Sequence, residues 1–160
     1  MRRRIAMAQA RAGQLRHVWA ATVLHLDLRL RLYAAAVCSI MVYGSEGWLL
    51  NERVCKMLNG ANAKMLSRIT GKTCREEATE GTRSFDLVSR IRARRIKWVG
   101  HILRIGDKDR LIRKALRVIY DNRQEGDILM DIPNGVSWEE LEETAADRDK
   151  WRLLVRMVKG

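Results

Sequence analysis

The sequence predicts a mainly α-helical protein, a small multi-helix domain of about five to six helices with no substantial sheet. One proline, Pro133, and an aromatic content of 6% argue against an all-β sandwich, which needs many turns and strand-forming aromatics. Apolar residues also recur at three- and four-residue spacings through most of the chain. With 47% hydrophobic residues in 160, there is material for one compact domain or two very small ones.

From the amino terminus, Ile5, Ala8, Ala12, Leu15, Val18 or Trp19, and Thr22 or Val23 mark a helix with Gly13 as its weak point. Leu24, Leu26, Leu28, Leu30 and Leu32 alternate as a half-buried strand would. The Ala34-Ala35-Ala36 run and Asp27 as N-cap nevertheless favour a helix over 27–43, stopped by Gly44 and Gly47. Asn51 can cap the next helix, with Val54, Met57 or Leu58, Ala61, Met65 and Ile69 inward and Gly71 as terminator. A polar connector over 72–82 leads to a long amphipathic helix over 85–105, ended by Gly106. Asp107 or Asp109 opens a helix to about Tyr120. A turn-rich link over 121–135 precedes a capping box, Ser137 with Glu140, and a final helical stretch, either continuous or broken near Asp147.

Charge is unevenly distributed. The chain carries 31 Lys and Arg against 19 Asp and Glu, a net charge of +12, which suits nucleic acid or an acidic surface and competes with simple solubility as an explanation. Residues 1–33 sum to +6, 83–117 to +9 and 121–149 to −8. The natural partition is a basic region over 1–120 and an acidic linker with a C-terminal helix over 121–160. The acidic segment reads first as a solvated face, with folding back onto the basic segment as the alternative.

Several function classes lack their residues. Cys38, Cys55 and Cys74 are 17 and 19 apart, and His17, His25 and His101 stand clear of them, so no zinc clamp or other metal site is expected. No cofactor is implied. Gln9, Arg11, Gln14 and Arg16 interrupt the apolar run a secretion signal would need, and the apolar stretch over 32–43 is too short to cross a bilayer. Reduced thiols in a cytoplasmic or nuclear protein, with no membrane partner, are the expectation.

The candidate site is a stripe. At 100° per residue, Arg90, Arg94, Lys97, His101 and Arg104 fall within about 80° of arc, while Leu87, Val88, Ile91, Trp98, Val99, Ile102 and Leu103 take the other side. Such a line can track an RNA or DNA phosphate backbone, releasing counterions. Trp98 belongs with the core more than with a base-stacking platform, and His101 fits a phosphate contact or plain surface better than a general base. Tyr33 and Tyr43 suit packing between helices with their hydroxyls at the edge. Arg92 and Arg95 project into the apolar arc, so they either snorkel past its edges or pair with acids from another segment. Gly100 suggests a kink or the close approach of another backbone.

These residues resemble a known family. LRLRLYAAAVCSIMVYGSEGW over 28–48 is similar to the segment after the palm in reverse transcriptases of non-LTR retrotransposons, through Arg31-Leu32-Tyr33 and Tyr43-Gly44-Ser45-Glu46-Gly47-Trp48. Residues 57–71 resemble the next helix, with Ala63 to Arg68 matching its core in part. RRIKWVGHILRI over 94–105 is the most specific block, and Asp147-Arg148-Asp149-Lys150-Trp151-Arg152 resembles the close of such proteins. The resemblance implies the region beyond the palm of an RNA-directed DNA polymerase, which holds template, primer or target DNA, with the absent palm as a further partner. No Asp-Asp pair stands in the sequence to hold polymerase metal ions, and no endonuclease cluster is present. The expectation is a truncated or degenerate fragment that retains a nucleic-acid-binding helical region without catalysis; the alternative is a structural packing module inert without its palm.

Overall fold

The computed structural model describes residues 1–71, 86–107, 109–124, 127–133 and 135–159. The connector expected over 72–82, together with Cys74 and Phe85, lies outside the described residues. The fold class is the expected one: eight helices and no strand among the described residues. Eight exceed the predicted five to six because the first and last predicted helices are each broken once.

The chain forms two compact units. One comprises Met1–Gly44 and Arg53–Val88, the other Ser45–Glu52 and Ser89–Gly160. This division follows packing, whereas the partition at residue 120 followed charge.

In the first unit, α1 (Arg2–Gln14) buries Ile5, Ala8 and Ala12, and breaks at Leu15 before α2 (Arg16–Ala20). Trp19 holds that corner, its Nε1 donating to the Ala12 carbonyl at 2.8 Å. Helix α3 covers residues 26–42 and widens into a π turn over Ala34–Cys38. The leucine alternation is not followed, since burial falls on Tyr33, Val37 and Met41 at helical spacing while Leu26, Leu28 and Leu32 stay exposed. Asp27 does not cap the helix; it pairs with Arg31 one turn on. Gly44 does end the segment, with φ +68.

Helix α4 (Glu52–Thr70) buries Leu58, Ala61, Asn62, Met65, Leu66 and Ile69 and stops at Gly71, φ +72. Tyr33 is fully buried, its hydroxyl donating to Asn62 Oδ1 at 2.6 Å rather than reaching an edge. Tyr43 is exposed, with the Arg4 guanidinium 4.4 Å over its ring, and so is not packed between helices.

In the second unit, a turn at Ser45–Gly47 accompanies α5 (Leu87–Leu103) from Ser89 onward, α6 (Leu111–Asp121), a 3₁₀ turn at Ile128–Asp131, α7 (Trp138–Ala146) and α8 (Arg148–Lys159). Its core gathers Ile96, Val99, Ile102, Leu116, Leu129, Trp138, Leu141, Ala145, Trp151 and Val155, with Trp98 half-buried against it. The capping box forms as predicted, Ser137 Oγ accepting from Glu140 N–H and Glu140 Oε2 from Ser137 N–H. Neither Asp107 nor Asp109 caps α6: Asp107 Oδ1 takes the Asp109 N–H in a local turn, and the helix starts two residues later after Arg110.

Helix α6 is turned with its cation inward. Arg113 is buried and donates to the carbonyls of Leu103 and Ile105, satisfying the end of α5, and to Glu142 Oε1 at 2.7 Å. Leu111, Ile112, Val118 and Ile119 therefore face outward.

Candidate nucleic-acid interface

Helix α5 carries the predicted stripe in the predicted phase. Arg94, Lys97 and His101 are exposed, Arg90 and Arg104 half-buried, and Leu87, Val88, Ile91, Val99, Ile102 and Leu103 buried. By helical rise, Arg90 to Arg104 spans about 21 Å.

The five stripe residues differ in what they touch. Arg94 Nε pairs with Glu46 Oε1 on the Ser45–Gly47 turn, 48 positions away in sequence. Burial pushes the Glu46 carboxyl up, but the Arg94 hydrogen bond, a backbone hydrogen bond at Glu46 and the Arg94 charge outweigh it and hold it below its ordinary value. Arg104 donates to the Ala145 carbonyl at the end of α7, 3.0 Å away. Burial first, and then the Arg148 charge, holds its guanidinium below its ordinary value. Lys97 and His101 make no ion pair among the described residues.

On the apolar side, Arg92 and Arg95 pair with an acid from another segment. Asp131 Oδ1 lies 3.2 Å from Arg92 Nε and Asp131 Oδ2 lies 3.4 Å from Arg95 NH1, with the Arg95 side chain 1% exposed. Burial raises the Asp131 carboxyl above its ordinary value, against the pull of Arg95 and then Arg92. With Glu142 on Arg113 and Glu139 on Arg117, the acidic segment folds back onto the basic one rather than serving only as a solvated face. For Arg95 and Arg113 the reason is desolvation: a buried guanidinium needs a carboxylate beside it. None of these three acids engages the stripe.

Gly100 accommodates a side chain rather than a backbone. The Trp151 indole lies over it, and a Cβ there would stand 2.1 Å from Trp151 Nε1. That nitrogen donates to the Ile96 carbonyl at 3.1 Å.

No family model, curated protein or solved structure matches the chain. The site therefore rests on its own geometry. Among the described residues no group of three or more His, Cys, Asp or Glu side chains is placed to hold a metal ion, and no helix is long and apolar enough to cross a membrane.

Sequence reasoning missed two residues here. Glu46 lies in a turn whose proximity to α5 has no local signal. Arg148 is flanked by Asp147 and Asp149, so its charge vanishes into an acidic sum; the heptad-like phase set by Trp151, Val155 and Val158 would have placed it beside the buried face.

Proposed function

We propose that this chain is the nucleic-acid-holding region that lies beyond the palm of a non-LTR retrotransposon, LINE-type endonuclease-reverse transcriptase. In this reading it works inside the cell, in cytoplasm or nucleus, and binds RNA or DNA through the phosphate backbone with Arg90, Arg94, Lys97, His101 and Arg104. It supplies no polymerase or endonuclease chemistry of its own.

The observation that carries the reading is the meeting of the resembling blocks. Glu46 of the Tyr43–Trp48 block pairs with Arg94 of the Arg94–Ile105 block, and Trp151 of the closing block seats on Gly100 and Ile96 of that same block. Residues shared by a family as a framework are expected to touch in this way. A stripe held outward by that framework is then the surface left for the polyanion.

The test replaces Arg90, Arg94, Lys97 and Arg104 by Gln in the full chain. Affinity for labelled RNA and duplex DNA should fall, and the slope of log affinity against log salt should flatten by up to about 0.9 per contact removed. Binding equal to the parent's on both nucleic acids removes the proposal.

One observation favours the second reading, a packing module that acts only against a palm domain. The outward face of α6 sets Leu111, 83% exposed, beside Ile112, Val118 and Ile119, and a contiguous apolar helix face belongs against protein. Under that reading the isolated chain binds an apolar dye and melts without cooperativity.

A further inference from the structure

Arg90 aside, the cations of the second unit whose side chains are described fall into two groups. Arg92, Arg94, Arg95, Arg110, Arg113, Lys114, Arg117 and Arg152 each have a carboxylate partner. Lys97, His101, Arg104, Arg123, Arg148, Lys150 and Arg156 have none among the described residues.

Four of this second group, Lys97, His101, Arg104 and Arg148, are gathered in one place. Lys97, His101 and Arg104 follow one another at helical spacing on α5, over about 10 Å. The junction of α7 and α8 reaches α5 at the same point: Ala145 of α7, three residues before Arg148, accepts from Arg104, and Trp151 of α8, three residues after it, covers Gly100. Arg148 is exposed between these two anchors. Its neighbouring acids are both occupied elsewhere. Asp147 Oδ1 takes the N–H groups of Asp149 and Lys150, and Asp149 Oδ1 takes the Arg152 guanidinium at 2.6 Å.

We propose that Arg148 joins Lys97, His101 and Arg104 in a two-helix corner that binds the phosphodiester backbone of a nucleic acid, and that this corner, rather than the whole stripe, makes the main contacts. The inference rests on the nucleic-acid reading above and narrows it to part of α5 while extending it to α8. Burial first, and then the Arg148 charge, holds the Arg104 guanidinium below its ordinary value, and two guanidinium groups held near each other gain from an anion between them. Arg94, already neutralised by Glu46, contributes little to it.

The experiment measures the affinity of the full chain for labelled RNA and duplex DNA across a salt series, with Lys97→Gln, Arg148→Gln, Arg148→Lys and Arg156→Gln. Arg156 is an exposed α8 cation, about 140° around the helix from Trp151, and serves as the control. Lys97→Gln and Arg148→Gln should each bind about fivefold more weakly near 0.15 M salt and lose about one contact's worth of salt slope. Arg148→Lys should recover most of the loss, and Arg156→Gln should match the parent. If Lys97→Gln weakens binding while Arg148→Gln behaves like Arg156→Gln, the corner is overturned and the stripe survives. If neither matters and the four-residue stripe variant also binds as the parent does, both readings fall.

Discussion

The indole of Trp151 occupies the space where any other residue at position 100 would carry its Cβ, 2.1 Å from the nearest ring atom. Both groups lie inside a packed core, Trp151 being 3% exposed, so neither can move aside cheaply. The glycine also leaves the Ile96 carbonyl, one helical turn earlier, open to the indole N–H. Gly100 is thus a seat, and its cost in helix propensity is offset by the tryptophan it admits.

Gly100→Ala should therefore destabilise the second unit despite alanine's better helix propensity. Propensity favours the variant by about 1 kcal/mol, while overpacking against a fixed ring costs about 3 kcal/mol, leaving a loss of about 2 kcal/mol. In a double-mutant cycle with Trp151→Leu, the second substitution removes the clash, so the two effects should fall well short of additive. Additive losses in urea denaturation would mean that the two residues do not share the seat.

The buried pair Arg95 and Asp131 predicts a pH dependence. Burial holds the Asp131 carboxyl above its ordinary value even with Arg95 and Arg92 beside it. A raised carboxyl favours the protonated form in the folded state. Its contribution to stability is present in full below the ordinary carboxylate range and is lost as pH rises through the folded value. Arg95→Met removes the nearest buried counter-charge and should steepen this loss. The variant should be close to the parent near pH 4 and about 3 kcal/mol less stable at pH 7. Equal losses at both pH values would show that Arg95 acts through packing alone.

How much of this was legible in sequence follows from range. Gly44, Gly71 and the Ser137–Glu140 box were readable because a positive φ or a cap depends on residues within a turn of each other. The phase of the stripe was readable for the same reason. The inward turn of Arg113, the fold-back of Asp131 and the pairing of Glu46 with Arg94 depend on what lies opposite in space, and no local pattern encodes that. Asp27 and Asp107 show the converse error: a residue type that caps helices also makes local turns and i,i+4 pairs, and composition alone does not choose among them.

Asp147 caps α8, and its titration should show it. The N–H of Lys150 and then that of Asp149 hold its carboxyl below the ordinary value, with burial opposing. A lowered carboxyl contributes stability that is present above the ordinary range and lost as pH falls through the lowered value. Asp147→Asn keeps a capping oxygen and should leave stability near neutral pH almost unchanged while abolishing that acid-side loss. Asp147→Ala should lower the melting temperature at neutral pH and reduce helical circular dichroism. A melting temperature unchanged in Asp147→Ala would remove the cap from the account.

The pair Glu46–Arg94 separates structure from binding at one position. Arg94 is half exposed and Glu46 20% exposed, so Glu46→Gln should cost less than about 1 kcal/mol after solvent screening. The same substitution returns a free cation to the stripe. If phosphate contacts are made along its whole length, affinity for RNA or duplex DNA rises and the salt slope steepens by about 0.9. If they are made at the corner of Lys97, His101, Arg104 and Arg148, the slope stays at the parent's value. The second result is expected, because Arg94 is already neutralised by Glu46, while Lys97, His101 and Arg104, which have no carboxylate partner among the described residues, stand three or more residues further along α5 and Arg148 stands on α8.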